Sequence, residues 1–577
     1  MADRNATPWH ILAVALLWGS TTHAQWTFTG DTSVTWQQAV ARYAQLDSLH
    51  AGARLTTIGH DDAGQPLHLF VLSDGSGFSP DSIRAAGKNI LWVTNGIHPG
   101  EPDGIDASLL LAQALLESDQ LMGLLVNTAV CIVPVYNISG ALNRGSHSRA
   151  NQNGPREYGF RGNATNLDLN RDFMKLDSEN ARALVAALAA WDPDIYFETH
   201  VSDGADHQYI MALMATQKDK LAAPLARFMS NTLIPGQYAW MERMELLMCP
   251  YFETTGSIPE EGLQGFNDGP RYSSGHAALM DRIGIVSEAH VLKPFADRVN
   301  ATFQLLLGTL AVMDQYPEDL RAARSAAKQS TAQTARLGLN WRLDTAVVEQ
   351  LPWKGYQAMS GTSKVTGLPR LWYDRNRPTD ILVPWRDTYK PAWLVQKPKA
   401  YIVPGQWRAV IERLLLNGVH MEPVARDTLL TVEQDSIAAF TTVPMAYEGH
   451  YLHRDIQVVR TRKQLAVHAG DLRIPMGRPT DRYVVEALES RADDGFFAWN
   501  FFDGVLQQKE WFDAYVFEER AAQLLEDDPA LRAAFHAQVQ GDPAFATDAW
   551  AQLLWIYRRS PWMEPGYRKY PVLRVVD

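Results

Sequence analysis

Apolar positions recur at helical spacing over residues 36–50 and 103–118, and short runs of β-formers stand between and after them. These runs are Leu67–Leu72, Ile90–Thr94, Ala129–Tyr136, Ile195–Thr199, Tyr209–Leu213 and Gly284–Ser287. Further helices are predicted over 178–191, 218–231, 275–282 and 294–314. Short apolar runs alternating with longer helical segments describe an α/β sheet with helices on its faces. The pattern stops near residue 316, and Ala322–Ala335 reads as a linker or a connecting helix. Beyond residue 340, strand-like segments dominate to about 475. Within them Ala400–Val403, a helix from Gln406 to Leu416, and Gly418–Met421 read as strand–helix–strand. Residues 505–540 are helical and charged. The expected fold is therefore α/β with a mixed sheet, followed by a β-rich C-terminal region with some helix. The expected division is 1–24, 25–320 and 321–577.

The N-terminal segment has a different pattern. An apolar run, Trp9 to Trp18, precedes small residues at Thr22 and Ala24. This is the layout of a secretory signal peptide cut after Ala24, so a secreted or periplasmic mature chain is expected. The nearest later apolar stretch, Leu109–Val126, is interrupted by Glu117 and Asp119, and no membrane span is expected in the mature chain. Hydrophobic residues make up 46% and charged residues 20% of the 577, ample material for a core. The 53 Lys and Arg against 65 Asp and Glu give a formal charge of −12, which argues against a nucleic-acid binder. The two cysteines, Cys131 and Cys249, make at most one bridge and cannot build a four-cysteine metal site. Eleven of the 18 tryptophans lie beyond residue 340, either as core material or as a face for a sugar or peptide.

Candidate chemistry concentrates where predicted strands end. Thr94-Asn95-Gly96-Ile97-His98-Pro99-Gly100-Glu101 follows one strand and precedes a helix. In an open α/β sheet, ligands bind beyond the carboxyl ends of the strands. His98 and Glu101, three apart in a turn tightened by Pro99 and Gly100, both reach one point. His200 ends a second strand, Ile195–Thr199. Two histidines and one glutamate leave a fourth position open, the arrangement a catalytic zinc requires. Glu288 closes a third strand, in Gly284-Ile285-Val286-Ser287-Glu288-Ala289-His290, and is a candidate general base. The stretch 143–173 is rich in Arg and Asn and poor in apolar residues. It reads as a loop that binds an anion or a developing oxyanion.

Taken in order, HPGE (98–101), LDLNRDF (167–173), ETH (198–200) and VSEAH (286–290) resemble the M14 family of zinc carboxypeptidases over roughly residues 30–316. The resemblance implies a zinc-carboxypeptidase-like catalytic domain with one zinc per chain, held by His98, Glu101 and His200. It implies Glu288 as general base. It implies Asn170 and Arg171 as the pair that binds the terminal carboxylate of a peptide substrate. It offers Arg149 or Arg144 to polarise the scissile carbonyl, with Arg149 preferred, and Tyr272 as a counterpart of the family's mobile tyrosine. His147, His207 and His290 are expected behind the ligands or facing substrate. Gly470–Pro479 and the segment Asp494–Asp503 resemble extensions of large secreted bacterial members. The activity implied is hydrolysis of the C-terminal peptide bond. Two other readings fit the same residues: a metal-dependent amidase or deacylase of N-acyl amino acids or cell-wall peptides, and a non-catalytic peptide-binding protein on the same fold.

Overall fold

The computed structural model describes residues 26–576. The expected signal segment, 1–24, lies outside the described residues. By contacts the chain forms two compact units. The first comprises 26–397 with 410–420 and 476–487, and the second 398–409, 421–475 and 488–576.

The first unit is built on an eight-stranded mixed sheet. Its strands are β1 (Ala53–His60), β2 (Pro66–Leu72), β3 (Asn89–Thr94), β4 (Thr128–Val133), β5 (Ile195–Ser202), β6 (Met211–Ala215), β7 (Met248–Pro250) and β10 (Ile283–His290). The short strands β8 (Glu253–Thr254) and β9 (Leu263–Gln264) belong elsewhere. The order across the sheet is β1-β2-β4-β3-β5-β10-β6-β7. The four central strands β4, β3, β5 and β10 are mutually parallel. Every residue of β3, β4 and β10 is buried, as expected where helices cover both faces of a parallel sheet.

Side chains alternate between the two faces along each strand. Leu91 and Val93 join one core cluster with the helices Trp36–Leu49, Asp103–Glu117 and Phe295–Gln315. Ile90 and Trp92 join another with the helix Glu179–Trp191. The stretch expected as a linker or connecting helix is a helix, Pro317–Gln333. The helical run that the pattern ends at 231 continues to Arg243. A π-helical turn at Met229–Leu233 precedes Pro235, and a widened turn accommodates the amide that proline lacks. Cys131 and Cys249 are both free and buried. Among the described residues no helix is long and apolar enough to cross a membrane.

Four long strands complete the first unit: β11 (Arg336–Leu343), β12 (Glu349–Thr362), β13 (Pro369–Arg386) and β14 (Tyr389–Gln396). β11 pairs with β14, while β12 and β13 form a hairpin that β9 joins at Trp385 and Arg386. The second unit holds a six-stranded sheet and then the helices Ala514–Asp527, Pro529–Gly541 and Ala549–Tyr557. Its strands are β15 (Ala400–Val403), β16 (Glu422–Pro423), β17 (Thr428–Thr442), β18 (His453–Val467), β19 (Leu472–Pro475) and β20 (Leu573–Val575). The strand expected at 418–421 falls instead at Glu422–Pro423, because Gly418 turns the chain with φ 70° after the helix Arg408–Leu416.

Candidate metal centre

β3 and β5 lie side by side and parallel, with Thr94 opposite Glu198. The loop after β3 and the end of β5 therefore meet on the same edge of the sheet. The loop is fixed by the turn bond from the Glu101 amide to the His98 carbonyl, 2.8 Å. The helix Asp103–Glu117 starts immediately after it and presses on β5 at Gly104. A Cβ at that position would stand 1.9 Å from Thr199 Oγ1, so only glycine permits the approach.

His98, Glu101 and His200 offer one ligand atom each, all within 4.8 Å of one another. His98 Nδ1 and His200 Nδ1 are 3.1 Å apart. Glu101 Oε2 is 3.1 Å from His200 Nδ1, and Glu101 Oε1 is 3.4 Å from His98 Nδ1. Ligands about 2.0–2.1 Å from a tetrahedral zinc stand about 3.3 Å apart, so the three atoms fit corners around one ion. The second nitrogen of each ring is occupied. His98 Nε2 contacts Asp168 Oδ1 at 2.9 Å and His200 Nε2 contacts Glu198 Oε2 at 3.1 Å. A carboxylate behind each imidazole fixes the ring and its tautomer, leaving both Nδ1 atoms for a metal. Glu101 is held from behind by the Val201 amide at 2.9 Å and by Arg149 Nη1 at 3.0 Å. Burial works against its ionisation, but His98 and Arg149 outweigh it and keep the carboxyl well below its ordinary range.

β10 lies parallel to β5 on its other side, with Glu288 opposite His200. Burial pushes the Glu288 carboxyl up to about 8; His200 opposes this, and the charges of Glu101 and Glu198 add to it. Glu288 opens onto a cavity of about 260 Å³, whose walls include His98, Glu101, His200, Arg149, Asn170, Arg171 and Tyr272. Asn170 accepts from the Ser273 amide at 3.1 Å. Arg171 lays its guanidinium 4.4 Å from the centre of the Tyr272 ring. The eight residues singled out from sequence thus surround one space. Arg144 does not: it donates to the Ser33 carbonyl at 2.7 Å and is not part of the cavity wall.

Residues 42–255 match the family model described as zinc carboxypeptidase, peptidase M14. The chain carries an M14-family domain. Carboxypeptidase 2 of Trichophyton rubrum is 22% identical over 453 residues, covering 75% of this chain and 74% of that protein. Among solved structures, a metallo-carboxypeptidase of Pseudomonas aeruginosa in complex with (2-guanidinoethylmercapto)succinic acid is 16% identical. It covers 50% of this chain and 70% of its own, with a TM-score of 0.38. The carboxypeptidase A of Helicoverpa armigera is also 16% identical, covering 55% and 78%, with a TM-score of 0.37. Tyr272 and Glu288 lie C-terminal to the matched segment of the M14 domain.

The M14 domain also holds site residues that the sequence reading passed over. Asp168 and Glu198 stand inside the quoted motifs, but nothing in their spacing marks them as partners of the histidine rings. Glu198 left one signal: it is two residues from His200 on the same strand, hence on the same face. Arg161 lines the cavity too. Asp168 Oδ2 accepts from its Nε at 3.0 Å and Nη2 at 2.8 Å, and its Nη1 lies 3.7 Å from Glu101 Oε1. His147, His207 and His290 are not in the cavity wall. His207 and His290 pack on each other instead, ring centres 4.1 Å apart, and burial lowers the pKa of both.

Proposed function

We propose that the chain is a zinc metallocarboxypeptidase that hydrolyses the C-terminal peptide bond of peptides. The observation that carries this reading is the convergence of two imidazole Nδ1 atoms and one carboxylate beside Glu288 and Arg171 in one cavity. His98, Glu101 and His200 would hold the ion. Zinc there supplies Lewis-acid polarisation of a carbonyl and eases the deprotonation of water. Arg171 and Asn170 bind the terminal carboxylate and so set which bond lies at the reacting centre. Glu288 takes the proton of the attacking water and returns it to the leaving amine. A carboxyl raised towards neutrality exchanges protons in both directions.

The carbonyl-polarising role, for which the family resemblance offers Arg149 or Arg144 with Arg149 preferred, suits Arg161 better. The Arg149 side chain is 18% exposed and is engaged by Glu101, Gln152 and the Val201 carbonyl. The Arg161 side chain is 45% exposed, and its Nη1 is left towards the ligand cluster once Asp168 has bound the other side. Arg149 then positions Glu101, and Arg161 donates to the developing oxyanion. A signal peptide ending near Ala24, as the sequence pattern suggests, would put the reaction in the periplasm or outside the cell.

Matched peptides with free and amidated C-termini test the reading. An Arg fork binds a carboxylate through two parallel bonds that Lys does not reproduce. Arg171→Lys is expected to raise KM for free-acid peptides much more than for amidated ones. Equal effects on both, or preferred cleavage of the amides, would move the assignment to an amidase of N-acylated substrates.

A further inference from the structure

The hairpin of β12 and β13 carries its distal half outside any larger sheet. β13 meets a second strand only at Trp385 and Arg386, where β9 joins it. Among the described residues its stretch Pro369–Asp374 has no strand partner other than β12. Two-stranded ribbons are marginal in water, and an unpaired edge is a template for another strand. This one also exposes apolar surface: Leu368 is 64%, Leu371 45% and Trp372 38% exposed.

The register shows what the edge presents. The Ser363 amide donates to the Leu368 carbonyl at 2.8 Å, so that pair is hydrogen-bonded. Antiparallel pairs alternate between bonded and non-bonded. Thr362 with Pro369, Ser360 with Leu371 and Ala358 with Tyr373 are then non-bonded pairs. Pro369, which has no N–H, sits where none is needed. Leu371 and Tyr373 direct their amides and carbonyls away from β12, to the open side.

We propose that this edge pairs with the same edge of a second copy of the chain, antiparallel about a two-fold axis at Trp372. The sequence is self-complementary about that point. Leu371 falls opposite Tyr373 of the second copy, and the two exchange backbone hydrogen bonds. On the other face Trp372 meets Trp372, and Arg370 meets Asp374 on both sides of the axis. Opposite charges placed directly across a ladder stabilise it, and like charges oppose it. Because the contact is isologous, each favourable pair occurs twice. The occupant is therefore another copy, selected by charge as well as by apolar area.

Sedimentation equilibrium of the full chain at micromolar concentrations tests this. The wild type is expected to be a dimer. Arg370→Asp places two carboxylates opposite each other twice over, and Asp374→Arg does the same with two guanidinium groups. Each variant alone is expected to dimerise at least about tenfold more weakly. Mixed in equal amounts they restore both opposite-charge pairs, so a heterodimer is expected to form at wild-type strength. Melting temperatures unlike the wild type's would reveal misfolding, and Trp372→Lys, which sets two like charges on the axis, then serves as the separating variant. A monomeric wild type overturns the proposal, as do single variants that dimerise unimpaired or a mixture that stays monomeric while its components are folded.

Discussion

At the scale of single residues, Glu288 is where chemistry and stability part company. It lies beside the proposed ligands without being one, so Glu288→Gln is expected to leave zinc content unchanged. The rate should fall by at least the ~10²–10⁴ typical of a lost acid–base group. Measuring zinc, melting temperature and kcat on one sample decides the matter; a stable, zinc-loaded variant with near-normal kcat would refute the general-base role. Asp168 acts one step further back. It accepts from His98 Nε2 with one oxygen and from Arg161 with the other. Loss of such an outer carboxylate typically weakens metal binding about 10–100-fold. Asp168→Asn should show that loss in competition with a chelator, and an unchanged zinc affinity would mean that His98 needs no help to present Nδ1.

At the scale of elements, the helix Asp103–Glu117 ties the ligand loop to the rest of the fold, and its first turn hides a titrating group. Asp106 is buried, and burial raises its pKa to about 7. The Ser33 hydroxyl at 2.5 Å and the Val34 amide at 3.3 Å oppose the rise, as does Arg42, while Asp103 adds to it. Tyr43 is also packed within reach of its charge. Because the folded pKa is raised, the native state holds a proton that the unfolded chain releases from about pH 4 upwards. Stability from Asp106 is then present in full below that pH and is lost as pH rises through 7. Asn does not ionise, so Asp106→Asn should gain on the wild type between pH 5 and pH 8, by roughly 2–3 kcal/mol at most. Denaturant unfolding at the two pH values checks this, and an equal difference at both would show that Asp106 is ionised throughout. The expected strand ends also shifted at this scale. Tyr209–Leu213 became Met211–Ala215, since apolar content marks a strand but hydrogen-bonded partners decide where it starts and stops.

At the scale of the whole molecule, the local pattern of the chain determined most of the strands and helices to about residue 316, because period-2 and 3.6-residue patterns report which side chains a short element must bury. The half-exposed edge strand β1 and the three-residue β7 bury too little to leave such a pattern and were missed. The local pattern also determined the ligand types at strand ends, since the donor chemistry of His and Glu is local and needs no partner to be recognised. Strand neighbours were not legible: that β3, β5 and β10 lie adjacent and parallel, bringing residues 98, 200 and 288 together, is a fact of tertiary pairing. So is the engagement of Arg144 with the Ser33 carbonyl and the placing of Arg161 in the cavity, because one arginine in a polar loop looks like another until its partners are in place. The carboxylates behind the two histidines belong to the same class. Residues 168 and 198 bear the right chemistry in the chain, but only the folded sheet sets them against the Nε2 atoms of His98 and His200 in the candidate metal centre.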